Sequence, residues 1–472
     1  MDFKKIYIDG KWINSSSNNF IDVYNPANGN IISSVPACGI EDLNTAVESA
    51  KMPLKEWKEY PIYKRIECLK DILINLKSFS SDIISTIVSE LGCPISFSSK
   101  SQVDSSFDIF ESILSTATKI DFEKPHDGYK VYREPVGVIG CICPWNYPLY
   151  QLILKVVPAL ICGNTVVMKP ASITPLSSFY FAEAVRLSSL PAGVFNLITG
   201  SGSLIGKEMS SHPGIDMISF TGSTEVGKDI GMRAASTVKK VSLELGGKSP
   251  CLVLEDADYA LAVDTVLDSC FLNSGQTCSA FTRMYIPKSA KNEILDLISH
   301  KIDNYKCGDP LDPMCKLGPM SSEEQAKIVR SYIESGISDG AKLLKSSIQN
   351  SSLPDIFVSP HVFYDVTDDM KIAREEIFGP VLSVITYDNL DSAIQKCNDT
   401  RYGLSSCVFG SEKEALNIAK KLHAGNVHIN DSPFVNDAPF GGYKQSGLGR
   451  ESGEFGIMEF TEVKAVFNKN KF

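Results

Sequence analysis

Cys278 sits among small residues in the run Asn273-Ser274-Gly275-Gln276-Thr277-Cys278-Ser279-Ala280. Glycine and small polar neighbours permit a bend that leaves the sulfur accessible, and an accessible thiolate attacks electrophilic carbon. Most free cysteines are only small buried hydrophobes, so Cys278 needs partners before that reading carries weight. Thirty-four residues upstream, Glu244 stands in Leu243-Glu244-Leu245-Gly246-Gly247-Lys248. Its apolar flanks would desolvate the carboxylate and raise its pKa toward the range of a general base. A strand-end glutamate turned to solvent is the alternative. A third group is Asn146 in Pro144-Trp145-Asn146-Tyr147-Pro148. Two prolines restrict this loop and can hold the Asn146 amide where an oxyanion forms. An asparagine that merely caps the next helix is the alternative.

Other segments have the chemistry of a phosphate or ribose site. Lys169 and Ser172, in Lys169-Pro170-Ala171-Ser172, follow an apolar run. A lysine at a strand end in an acidic protein suits a ribose hydroxyl or a phosphate, or else plain solvent. Gly200, Gly202 and Gly206 form G-x-G-x-x-x-G, one residue longer than the dinucleotide fingerprint. Gly222 to Lys228 imitates a P-loop, but Asp229 stands where a magnesium-binding Ser or Thr is required, so that reading is rejected. A helix starting near Ser223 can still present backbone N–H groups to a pyrophosphate.

The elements that must position these groups are legible as hydrophobic patterns. Residues 136–143, 164–168, 194–198 and 216–220 are short apolar runs that suit strands buried on both faces of a parallel sheet. Helical segments lie between them, as at 176–187, and 41–59 and 61–90 also read as helices. Strands alternating with helices imply a doubly wound α/β region. A second α/β region follows over 248–442, with strands expected at 249–254, 283–286, 381–387 and 406–409. Residues 128–134 and 463–467 alternate like exposed strands, which could pair with each other or with another subunit.

Composition narrows the class. The 472 residues call for two or three domains. A net charge of −10 argues against a nucleic-acid surface. The thirteen cysteines form no C-x-x-C pair and no zinc-finger cluster, so no metal site is expected and the thiols read as free in a reducing compartment. The opening residues lack an apolar run long enough for a signal peptide, and the stretch 147–168 is broken by Lys155, Pro148 and Pro158. A cytoplasmic protein without a membrane span is expected.

Taken together, the segments PWNYP (144–148), KPASITP (169–175), FTGSTEVG (220–227), LELGGK (243–248), GQTCSA (275–280), EEIFGP (375–380) and PFGGYKQSGLGRE (439–451) resemble the aldehyde dehydrogenase superfamily. Their joint order is specific, and the resemblance runs over nearly the whole chain. It implies a Rossmann-like cofactor domain (1–121 and 142–247), an α/β catalytic domain (248–445), and a small β oligomerisation flap with a C-terminal tail (122–141 and 446–472). It implies that Cys278 is the nucleophile, that Asn146 and the Cys278 backbone N–H bind the oxyanion, and that Glu244 activates the hydrolytic water. For the cofactor, NAD or NADP, it points to Pro144, Trp145, Lys169, Ser172, Gly202, Gly206, Phe220, Ser223, Val226, Leu245, Glu376 and Phe378. For a substrate tunnel it points to Tyr147, Tyr150, Leu154, Leu272, Thr277, Ser279 and Phe434, a mostly apolar set suited to small or medium aldehydes. It also implies a homodimer or homotetramer.

One position departs from the pattern. Many NAD-preferring relatives carry Glu where this chain has Ser172; a carboxylate repels a 2′-phosphate and a serine does not, so NADP should be tolerated. Rival readings are a CoA-acylating enzyme, which needs no base at Glu244, a cofactor-independent esterase, and a non-catalytic protein that kept the fold.

Overall fold

The computed structural model describes residues 1–346 and 353–469. Two large sheets organise the chain, confirming the α/β reading with parallel strands. The first has eight strands in the order Gly447–Leu448, Lys240–Glu244, Met217–Thr221, Val138–Ile142, Thr165–Lys169, Phe195–Leu197, Ile6–Ile8, Lys11–Ile13. The five from Lys240–Glu244 to Phe195–Leu197 run parallel. Four of them, Val138–Ile142, Thr165–Lys169, Phe195–Leu197 and Met217–Thr221, are buried along their whole length. This is why they read as unbroken apolar runs: helices cover both faces.

The order of this sheet decides where a site can form. From Val138–Ile142 the chain steps outward through Thr165–Lys169 to Phe195–Leu197, then crosses back to place Met217–Thr221 on the other side of its starting strand. Neighbouring connections therefore leave in opposite directions at the carboxyl end of Val138–Ile142, and a crevice opens there. The Pro144 to Pro148 loop, Lys169, Thr221 and Glu244 all lie at these carboxyl ends.

The second sheet has seven strands, ordered Lys342–Ser346, His361–Tyr364, Val381–Tyr387, Phe281–Pro287, Ser249–Val253, Ser405–Phe409, Asn426–Ile429. All but the first run parallel. Only four residues, 245–248, separate the end of Lys240–Glu244 from the start of Ser249–Val253. The carboxyl edge of one sheet is thus joined directly to the amino edge of the other, where Cys278 precedes Phe281–Pro287 and Phe378 precedes Val381–Tyr387.

The stretch 147–168 forms the buried helix Pro148–Ile161 and the start of the Thr165–Lys169 strand. Among the described residues no helix is long and apolar enough to cross a membrane. The helix expected at 61–90 is two, Ile62–Ser78 and Ser80–Leu91, separated at Phe79. The two alternating segments do pair with each other: Thr461–Phe467 lies antiparallel to Tyr129–Pro135, from Thr461 opposite Pro135 to Phe467 opposite Tyr129, with Glu123–His126 as third strand. The boundary expected between 141 and 142 falls inside the central strand Val138–Ile142, and Gly447–Leu448, expected with the flap, pairs at the edge of the eight-stranded sheet. Apolar continuity from 138 onward makes that strand a sheet core rather than a linker.

An N-terminal hairpin went unread in the sequence. Ile6–Ile8 and Lys11–Ile13 are joined by Asp9 and Gly10, both left-handed (φ 53° and 74°), the Asp-Gly turn that matches strand twist. Trp12 fastens it by stacking on Phe179 at 5.6 Å and donating to Glu183 Oε2 at 2.8 Å.

Candidate active site

Cys278 is delivered by a strained turn. Asn273, Ser274 and Gly275 are consecutive left-handed residues, with φ of 53°, 57° and 78°. Two of them are not glycine, and such conformations persist only where neighbours impose them. Ser274 Oγ donates to Gly318 O at 3.0 Å, and Gln276 Nε2 donates to Asn273 O at 3.0 Å while its Oε1 accepts from Ser321 N at 2.9 Å. At Gly275 a Cβ would lie 2.2 Å from the Gly379 carbonyl carbon, so only glycine fits. Cys278 itself is half-buried, whereas Cys38, Cys68 and most other cysteines are fully buried. Burial pushes its thiol up to about 12, and the carboxylates of Glu376 and Glu244 push in the same direction. At rest it is a protonated thiol.

Asn146 is buried, and its Nδ2 donates to Gln276 O at 2.9 Å. One amide hydrogen is consumed there and the second remains available. Next to it, Tyr147 Oη and Thr277 Oγ1 are hydrogen-bonded at 2.8 Å, joining the proline-bounded loop to the cysteine turn.

Glu244 ends its strand with the carboxylate buried and neither oxygen hydrogen-bonded. Burial raises its pKa well above the ordinary carboxylate value; Glu451 adds to the shift, and Lys155 and Arg450 oppose it. The side chain fits because residue 441 is glycine: a Cβ there would stand 2.6 Å from Glu244 Oε1. Behind it lies a buried ion pair between Lys155 and Glu451, with Lys155 Nζ also donating to Thr221 Oγ1 at 2.6 Å. Burial alone would lower the Lys155 pKa, but Glu451, with Cys143 and Glu244, carries it above the ordinary value and the lysine stays charged.

A cleft of about 800 Å³ runs from Cys278, Asn146 and Tyr147 along the carboxyl edge of the eight-stranded sheet. Every residue expected at the cofactor, from Pro144 and Trp145 through Lys169, Ser172, Gly202, Gly206, Phe220, Ser223, Val226 and Leu245 to Glu376 and Phe378, lies on its wall. At one end Ser223 caps the helix Thr224–Ala234, accepting from Val226 N at 3.4 Å. Lys169 donates to Pro170 O at 2.7 Å, and burial lowers its pKa to about 8. A Cβ at Gly202 would meet nothing within 4 Å, so that stretch of backbone faces open space. At the other end the rings of Phe378 and Trp145 meet edge to face at 5.3 Å. Glu376 Oε1 accepts from Gly247 N at 3.0 Å, and burial raises its pKa to about 7. The two glycines of the LELGGK segment each admit a close neighbour: a Cβ at Gly246 would strike Glu376, and one at Gly247 would lie 2.7 Å from Cys278 O.

The expected tunnel residues divide. Tyr147 lines the cleft; Tyr150, Leu154, Leu272, Thr277, Ser279 and Phe434 do not. Leu154 is 3% exposed and packs in the main hydrophobic core, because its helix is buried on nearly every side. Leu272 and Phe434 are exposed, the latter edge to face with Phe440 at 6.0 Å. Sequence reasoning missed Gln325, Ile328 and Lys207, all on the cleft wall. Gln325 Nε2 donates to Ile377 O at 3.2 Å and to Phe378 O at 3.0 Å, clamping Phe378 in its left-handed conformation (φ 57°). Ser322, the N-cap of helix Glu323–Ser338, was the available signal for that element.

Fold and site together define an oxidoreductase of the doubly wound class, with a cysteine at the mouth of a dinucleotide-sized crevice. The profile of the aldehyde dehydrogenase family matches residues 12–466. A Staphylococcus haemolyticus protein bearing an aldehyde dehydrogenase name is 41% identical over 471 residues, spanning 98% of both chains. Among solved structures, a variant of aldehyde dehydrogenase C from Pseudomonas syringae, complexed with NAD+ and octanal, is 39% identical with a TM-score of 0.96, over 98% of this chain and 96% of that one. The Mycobacterium tuberculosis aldehyde dehydrogenase complexed with NAD+ is 36% identical with a TM-score of 0.96, over 99% and 98%. The chain belongs to the aldehyde dehydrogenase family and is an enzyme.

Proposed function

We propose that this chain oxidises an aldehyde to a carboxylate through a thioester on Cys278, with NAD or NADP as the hydride acceptor. The observation that carries the reading is the single cleft that joins Cys278 and Asn146 to a wall suited to a dinucleotide. Lys169 and Ser172 would hold the adenosine ribose, the N-terminus of helix Thr224–Ala234 the pyrophosphate, and Glu376 and Phe378 the nicotinamide ribose and ring. The nicotinamide, when bound, accepts the hydride that the substrate adduct loses as it becomes a thioester.

The chain's own residues do the rest. The Cys278 thiol passes its proton to solvent water, and the Sγ thiolate attacks the aldehyde carbon to form a thiohemiacetal anion. The developing oxyanion accepts the free Nδ2 hydrogen of Asn146 and the Cys278 backbone N–H. After the thioester forms, Glu244 takes a proton from water as that water attacks the acyl carbon, releasing the carboxylate and restoring the sulfur. Small to medium aliphatic or aromatic aldehydes suit the apolar approach past Tyr147, and the octanal seen with the P. syringae protein supports an aliphatic substrate.

NADP is accepted on this reading. Ser172 Oγ is tied to Gly200 O at 3.0 Å and offers no charge. Two carboxylates on the same wall are already paired, Glu225 with Lys228 at 3.1 Å and Asp229 with Arg233 at 2.9 Å. Lys207, exposed on that wall, has the charge to meet a 2′-phosphate. The protein assembles as a homodimer or homotetramer, with the three strands Glu123–His126, Tyr129–Pro135 and Thr461–Phe467 supplying the flap.

The test is the appearance of reduced nicotinamide with a panel of aldehydes, in wild type and in Cys278→Ala. Turnover is expected in the first and none in the second. Undiminished turnover in Cys278→Ala would overturn the mechanism.

A further inference from the structure

The side chain assigned to the oxyanion is held from a part of the chain that no motif marked. Gln102 lies in the π-helical turn Ser98–Asp104, between Ile95–Phe97 and helix Ser105–Ala117. Such turns are rare, and they recur where a side chain must be re-aimed at a functional site. Gln102 is fully buried, and its Nε2 donates to the backbone oxygen of Asn146 at 2.8 Å. The same oxygen accepts from Asn273 Nδ2 at 3.0 Å. Both lone pairs of that carbonyl are therefore filled, one from the π-helical turn and one from the turn that carries Cys278.

The bonds form a closed frame. Gln102 and Asn273 fix the Asn146 main chain, and Gln276 O fixes one hydrogen of its side-chain amide at 2.9 Å. The direction of the remaining N–H is then set. Gln102 also carries a cost: its Oε1 is buried without a hydrogen-bond partner. A methionine would fill similar volume without an orphaned acceptor, so packing alone does not account for an amide at this position.

We propose that Gln102 is a positioning residue, pinning the Asn146 backbone so that the free Asn146 side-chain N–H faces the oxyanion. This rests on the proposed aldehyde oxidation. In Gln102→Met, kcat should fall about 10- to 100-fold, the loss that follows misplacement of an oxyanion donor. The cofactor KM and the melting temperature should be unchanged. Because Gln102 acts through Asn146, Gln102→Met should cost nothing further in an Asn146→Ala background. Equal losses in both backgrounds, or wild-type kcat in Gln102→Met, would overturn the proposal. Should Gln102→Met fail to fold, Gln102→Asn keeps the amide but withdraws it by one methylene, and the same non-additivity is expected. If no aldehyde supports turnover in the wild type, aldehyde oxidation is refuted on its own. Crystal structures of wild type and Gln102→Met then decide the positioning role: a displaced Asn146 amide supports it, and an unmoved one ends it.

Discussion

Burial raises the pKa of both Glu244 and Cys278, so each must give up a proton before it can act. For Glu244 the sign is clear. A base works only when ionised, its pKa lies well above the ordinary carboxylate value, and hydrolysis therefore rises with pH through that elevated value. Glu244→Gln should preserve a first-turnover burst of reduced cofactor and cut the steady-state rate by about 100-fold or more, read by rapid-mixing absorbance. Unchanged steady-state turnover would remove Glu244 from the hydrolytic step. At the far end of the cleft, Ser172→Glu should lower kcat/KM for NADP by at least about tenfold and leave NAD nearly untouched, since one like-charge contact with a 2′-phosphate is worth more than about 1.4 kcal/mol. Equal losses with both cofactors would mean that residue 172 does not face the ribose.

Helix Pro148–Ile161 matters at the scale of the element because it carries a charge through the core. Lys155 meets Glu451 from 296 residues away, and both are buried. Lys155→Met strands the Glu451 carboxylate, at a cost of about 3–5 kcal/mol in denaturant unfolding. The same change removes a cation that holds down the Glu244 pKa, so the alkaline rise in turnover should move to higher pH. A stability loss without that movement would detach the ion pair from the base. The sequence marked Lys155 only as an interruption in an apolar stretch. Its partner lies in a distant segment, and no local pattern pairs them.

At the scale of the whole molecule, the proposed catalytic groups come from opposite edges of two sheets, and a four-residue connection sets those edges against each other. The third sheet stands apart. Its strand Thr461–Phe467 is exposed from Glu462 onward, with Phe467 78% exposed, and among the described residues it pairs with Tyr129–Pro135 alone. Deleting residues 461–472 would leave Tyr129–Pro135 with an open edge. If the flap builds the proposed homo-oligomer, the truncated protein should dissociate or aggregate, as read by sedimentation velocity. A wild-type sedimentation profile would show that the flap does not build the assembly.

What the sequence by itself determined was local: the motif residues, the buried parallel strands as unbroken apolar runs, and the crevice residues that directly follow those strands. Each is a property of a few adjacent residues, because strand burial and loop stiffness are written in the side chains of one short window. Only the tertiary structure decided which windows meet. It brought Gln102 and Asn273 to the Asn146 carbonyl, Gln325 to Phe378, and Glu451 to Lys155. It also moved Leu154 from an expected tunnel into the core. Those outcomes follow from hydrogen bonds and packing between segments far apart in the chain, whose energies depend on the folded geometry and leave no period or spacing in the sequence to read.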